Sequence, residues 1–151
     1  MLSSNKTALA LALFVVSVAS PAPISAPAHA AEDGPKAFNC RFDMGNAWSL
    51  NGGKFKSEAP AALGFDITDI NLEAQSAKLI SGDKATTGVV RIVRALNANH
   101  FLEVANEGFL NLTTIYDLDA ASGGYPAVHS RHFGLMGQPI FAQYAGSCTA
   151  K

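Results

Sequence analysis

The stretch Phe38-Asn39-Cys40-Arg41-Phe42-Asp43 alternates apolar and polar residues with period two and carries one of the chain's 2 cysteines. Successive side chains of a strand point to opposite faces, so the pattern predicts a half-buried β-strand with one apolar face. The same period recurs downstream. Leu63, Phe65 and Ile67 alternate with Gly64, Asp66 and Thr68, and Ala77 and Leu79 follow at that spacing. Thr87 to Arg94 (TGVVRIVR) is rich in β-branched residues. His100–Ala105 (HFLEVA), Phe109–Tyr116 (FLNLTTIY), Ala127–His132 (AVHSRH) and Pro139–Ala145 (PIFAQYA) complete the series.

Turn signals separate these runs: Asn51-Gly52-Gly53, Ser81-Gly82-Asp83, Asn97-Ala98-Asn99, Asn106-Glu107-Gly108 and Ser122-Gly123-Gly124. Gly and Asn tolerate the positive φ that tight turns need. Ile70 to Ala77 (INLEAQSA) is short for a stable helix and reads as a turn between strands. The chain is therefore expected to be all-β, an antiparallel meander of eight or nine strands. An open sheet of that size would leave two unpaired edges prone to association. Closure into a small up-and-down barrel removes them, with a two-sheet sandwich as the alternative. A barrel of about eight strands has an interior filled by side chains or one small ligand.

The other cysteine, Cys148, lies near the far end of the chain. Thr7 to Ser20 (TALALALFVVSVAS) is a continuous small or apolar run, shorter than the roughly 20 residues a spanning helix needs. Pro21, Pro23 and Pro27 follow, then the small-x-small site Ala28-His29-Ala30, and Lys6 is the only charge before it. These are the parts of a secretory signal peptide over residues 1–30, with residues 31–151 as a single mature domain. Export to an oxidising periplasmic or extracellular compartment predicts a Cys40–Cys148 disulfide. Closing a loop of roughly 100 residues stabilises by about 4.7 kcal/mol in the chain-entropy account. It also requires the first and last strands to be neighbours, as a closed barrel provides.

Across its 151 residues the chain is 48 % hydrophobic and 15 % charged, with a formal net charge of −1. That balance argues against nucleic-acid binding, and the apolar fraction against disorder. Two cysteines are too few for a four-thiolate zinc site. There is no phosphate loop, dinucleotide fingerprint, paired-carboxylate motif or zinc-protease motif, so no cofactor or metal is expected.

Ala127-Val128-His129-Ser130-Arg131-His132 is the densest polar cluster. On a strand His129 and Arg131 share one face, and Ser130 and His132 the other, a poor arrangement for one metal ion. Ser130 as a nucleophile activated by His129 is the enzymatic alternative, without a Gly-x-Ser-x-Gly elbow around it. The sharper expectation is a ligand-binding set of Glu103, Arg131, His129, Thr113 and Tyr144. Glu103 is in phase with Phe101 and Ala105. If that face is interior, its charge needs a partner, and Arg131 offers one as well as a planar fork for an anionic ligand. The opposite phase puts Glu103 in water and Leu102 and Val104 in the core, and the sequence leaves both open. Trp48 is expected to plug one end of the barrel or to fill the core. Asn111-Leu112-Thr113 matches a glycosylation acceptor, but its mid-strand place and the bacterial look of the leader count against that use.

Phe38-x-Cys40, Phe101-Leu102-Glu103, Thr113-Thr114, Ala127 to His132 and Gln143-Tyr144-x-Gly146-x-Cys148 together resemble a group of small exported proteins of proteobacteria, alphaproteobacteria in particular. The resemblance spans most of residues 31–151. It implies export and the terminal cysteine pair, and no activity. Exported lysozyme inhibitors are also small β-barrels with bracketing cysteines. Ser122-Gly123-Gly124-Tyr125 has the composition of their Ser-Gly-x-x-x-x-Tyr signature without its spacing. The expected function is non-catalytic binding of a small ligand or an envelope protein, with inhibition of, or assistance to, a cell-envelope hydrolase as the alternative. No membrane span is expected in the mature form.

Overall fold

The structure, a computed structural model, describes residues 34–82, 84–85, 89–105, 109–135 and 137–151. The expected leader, the Asn106-Glu107-Gly108 turn and Thr87 lie outside the described residues. Ten strands form: β1 (Phe38–Asn51), β2 (Lys54–Glu58), β3 (Leu63–Asn71), β4 (Ser76–Ser81), β5 (Lys84–Ala85), β6 (Val89–Arg94), β7 (Ala98–Ala105), β8 (Phe109–Tyr116), β9 (Tyr125–Leu135) and β10 (Gln138–Ala150). No helix occurs among the described residues, and Leu72 to Gln75 is a turn, as expected.

The order β10-β9-β8-β7-β6-β4-β3-β1 runs antiparallel throughout, and β10 pairs back onto β1, so the meander closes into a ring. The expectation of a closed all-β meander holds. The seam runs from Phe38↔Ala150 to Ser49↔Ile140 and pairs as many residues as β9 with β10. Cys40 and Cys148 face each other across it and form the expected disulfide, with Cα atoms 4.0 Å apart and 108 residues between them in sequence. The register slips by one residue at Asp43, between Phe42 and Met44. Such a bulge bends the strand and raises its twist. Beside it, Gly146 lies so close to the β1 backbone that an added Cβ would overlap Arg41 O and Phe42 Cα. Glycine is required there for the two strands to approach.

Outside the seam, Asn39 donates to Asp66 Oδ1 at 2.6 Å, and Lys151 pairs with Asp66 Oδ2 at 2.6 Å. The Lys151 ammonium, with the Asn39 amide adding to it, holds the Asp66 carboxyl below the usual carboxylate range. β1 continues past the ring and turns into β2, which pairs with β1 alone. Gly52 and Gly53 both have positive φ, as a two-residue I′ hairpin requires. β2 escaped the sequence reading because all five of its residues are exposed and give no burial period. Its Lys54, Lys56 and Glu58 suit an edge strand, where charge discourages further pairing. The turn expected at Asn97–Asn99 sits earlier, at Ala95–Asn97, and Ala98 is already a buried β7 residue.

Residues directly opposite each other on neighbouring strands share a face. The register therefore sorts the interior into layers. One holds Ile92, Phe101, Thr113, His129 and Tyr144, and the next holds Val90, Glu103, Asn111, Arg131 and Ala142. Phe109, Phe133 and Ile140 follow at the rim, with the two phenylalanine rings stacked at 5.3 Å. The far wall supplies Phe42, Phe65, Ile67 and Leu79. Trp48 is not in this core. It is half-buried on the outer face and stacks on Phe141 at 5.0 Å, because its opposite partner Phe141 points away from the interior that Ala47 and Ala142 face.

Two changes at the seam test this account. Gly146→Ala is expected to lower stability by about 1–3 kcal/mol in urea unfolding, since the new methyl meets backbone that has to move. Replacing Cys40 and Cys148 together by Ala is expected to lower it by about 2–5 kcal/mol. An unchanged midpoint in either variant would remove the seam from its place as the closing element.

Candidate functional site

β7 resolves the phase that its sequence left open. Glu103 is 3 % exposed and faces the interior, whereas Val104 is 57 % exposed. The reason lies in the register: Glu103 is in the same phase as Phe101, which packs into the core, and β7 is fixed on both sides by β6 and β8. Leu102 and Val104 then fall on the outer face, together with Leu110 and Leu112 of β8 and Val128 of β9.

Glu103 does not meet Arg131, because Asn111 stands between them. On adjacent strands, Glu103 is opposite Asn111 and Asn111 is opposite Arg131. The expected Glu103–Arg131 ion pair is absent among the described residues. Instead Asn111 Nδ2 donates to Glu103 Oε2 at 2.8 Å. The other oxygen of each side chain, Glu103 Oε1 and Asn111 Oδ1, is shut off from solvent and has no partner. Two buried acceptors without donors carry a desolvation cost of about 1–3 kcal/mol each, more for a charged group.

This pair lies in the wall of a cavity of about 210 Å³. Leu63 and Phe65 of β3, Leu79 and Ser81 of β4, and Phe109 of β8 supply its remaining surface, with Glu103, Asn111, His129 and Arg131 as the polar lining. An apolar enclosure with a few convergent polar groups is the usual form of a small-molecule site.

In the same wall, His129 Nδ1 and Thr113 Oγ1 share a hydrogen bond of 2.9 Å, and both residues are at most 2 % exposed. The imidazole is walled by Phe65 at 5.0 Å, Phe42 at 5.6 Å and Tyr144 at 6.0 Å between ring centroids. Burial among these rings pushes the His129 pKa down to about 4, and the Arg131 charge adds to the shift. His129 is thus a neutral imidazole at pH 7.

Of the five residues expected to bind a ligand, Glu103, His129 and Arg131 line the cavity. Thr113 and Tyr144 stand behind them, fixing and flanking the imidazole. Asn111 was missed as a site residue, although its phase with Thr113 on β8 was the signal that would have found it. Its inward side chain also fits the reading that it is not a glycosylation acceptor. Ser130 and His129 are consecutive on β9 and point to opposite sides, and no hydrogen bond joins them. No cluster of three or more His, Cys, Asp or Glu residues able to hold a metal occurs among the described residues.

A second concavity lies near the rim, an open groove of about 790 Å³. Val104, Leu110, His132 and Phe141 contribute to it, and they stand opposite one another in a single row across β7, β8, β9 and β10. Trp48 extends that row onto β1 through its stack on Phe141. The outer faces of β1 and β3 on the other side carry Asn39, Arg41 and Asp66 instead.

The His129 environment makes a pH prediction. Unfolded, this histidine takes up a proton below about 6.5; folded, it does so only near 4. As pH falls through that window the unfolded state binds the extra proton, so stability falls, by up to about 1.4 kcal/mol per pH unit. Urea midpoints measured at pH 7 and pH 5 are expected to differ by less in His129→Gln than in the parent. Equal differences in the two proteins would contradict the buried neutral imidazole.

The chain matches no protein-family model, no curated protein and no solved structure, so what this site does has to be argued from its own atoms.

Proposed function

We propose that the protein is an exported binding protein that holds one small polar molecule, without chemical change, in the cavity at Glu103, Asn111 and Arg131. The observation that carries this reading is a cavity lined by Glu103, Asn111 and Arg131, in which the first two residues each keep one buried acceptor without a partner. Buried polar groups in folded proteins are nearly always satisfied, and an orphan at a cavity is relieved by a bound donor. The absence of a joined nucleophile and base among Ser130 and His129 favours binding over hydrolysis. Export rests on the signal-like sequence of residues 1–30, and the Cys40–Cys148 disulfide is consistent with an oxidising, extracytoplasmic compartment.

A partner-binding reading draws on the outward row of Trp48, Phe141, His132, Leu110 and Val104. Inhibition of a cell-envelope hydrolase would place that row against the enzyme, and a lysozyme assay with and without the protein tests it.

The small-ligand reading is tested by NMR on the isotopically labelled, disulfide-bonded protein, with the Asn111 side-chain amide as reporter. Amino acids, simple amines, carboxylates and sugars are titrated in turn. At least one class is expected to shift the Asn111 signal saturably, together with backbone signals at Glu103 and Arg131. No saturable shift from any class would overturn the reading.

A further inference from the structure

The cavity wall divides its polar groups by kind. At one side sits the Glu103 carboxylate, with the Asn111 amide beside it. At the other sits Arg131, a guanidinium with several donors and no acceptor, engaged in no ion pair or hydrogen bond among the described residues. The strands bearing Glu103 and Arg131 are separated by β8, so their backbones lie roughly 10 Å apart. The two charges therefore face one cavity without reaching each other.

We infer that the ligand is a small zwitterion of the amino-acid class, its ammonium group donating to Glu103 and Asn111 and its carboxylate accepting from Arg131. The inference rests on the binding reading above and names the chemistry of that site. Three considerations support it. First, the pairing is complementary at both ends: an ammonium offers three donors to the Glu103 carboxylate, and a carboxylate matches the planar fork of arginine. Second, the charges of Glu103 and Arg131 sum to zero across one cavity. A simple amine or a simple carboxylate would leave one charge unbalanced there, and a zwitterion leaves none. Third, 210 Å³ lies below the roughly 300–1,000 Å³ of drug-sized sites and suits a molecule of amino-acid size. Leu63, Leu79 and Phe109 give the wall an apolar part for a short aliphatic side chain.

The test compares whole and half ligands on the same disulfide-bonded protein. Glycine and alanine are titrated beside ethylamine, which lacks the carboxylate, and propionate, which lacks the ammonium, again with the Asn111 amide as reporter. The zwitterions are expected to bind at least roughly tenfold tighter than either half. Glu103→Gln is expected to weaken the zwitterions and ethylamine and to leave propionate bound at least as tightly as before. Arg131→Gln is expected to weaken the zwitterions and propionate and to leave ethylamine bound at least as tightly as before. Equal affinity for a zwitterion and one of its halves would overturn the inference, and that comparison needs no variant to fold. If another class of molecule shifts Asn111 and zwitterions do not, this inference fails and the binding reading stands. If nothing shifts it, both fail.

Discussion

The structure depends on the seam between its first and last long strands. β1 and β10 pair over most of their length, and Cys40 and Cys148 join them covalently at directly facing positions. Once that seam is closed, every strand of the ring has a neighbour on each side. Each residue is then committed to the inside or the outside, because a one-residue slip would turn a whole strand over. Gly146 and the bulge at Asp43 are local consequences of the same constraint: one strand loses its side chain and the other gains a residue so that the two backbones can meet.

That commitment explains how a carboxylate comes to be buried. β7 cannot put Phe101 in the core without also turning Glu103 inward. The next layer of the ring answers it with an amide rather than a counter-ion, and the answer is incomplete, since one oxygen of each partner is left over. Elsewhere among the described residues no buried side-chain polar atom lacks a partner, and burial among three aromatic rings keeps His129 neutral. Two orphaned acceptors in one layer mark a place where stability has been given up, and binding sites are where proteins commonly do so.

Much of this was legible in the sequence, and the gaps have physical causes. Alternation in Phe38–Asp43, Leu63–Thr68 and Phe109–Tyr116 announced strands because one face of each is buried. The cysteine pair announced closure. The phase of β7 was not legible, since Phe101-Leu102-Glu103-Val104 puts apolar residues on both faces and the outer surface of β7 to β9 is itself apolar. The phase of Asn111 with Thr113 marks it as inward, but not what it meets there. Its place between Glu103 and Arg131 depends on inter-strand register, which no single strand encodes. β2 left no trace beyond its Asn-Gly-Gly turn, because a fully exposed strand has no burial period to read.

The central claim is that the Glu103–Asn111 layer serves a ligand at the expense of the empty protein's stability. Urea unfolding of the ligand-free double variant Glu103→Leu, Asn111→Leu tests it most directly. Removing both orphaned acceptors for apolar groups of similar size is expected to leave the midpoint unchanged or raise it. A clear fall in the midpoint, with the slope of the transition unchanged, would show that the polar pair holds the fold together and would contradict the account.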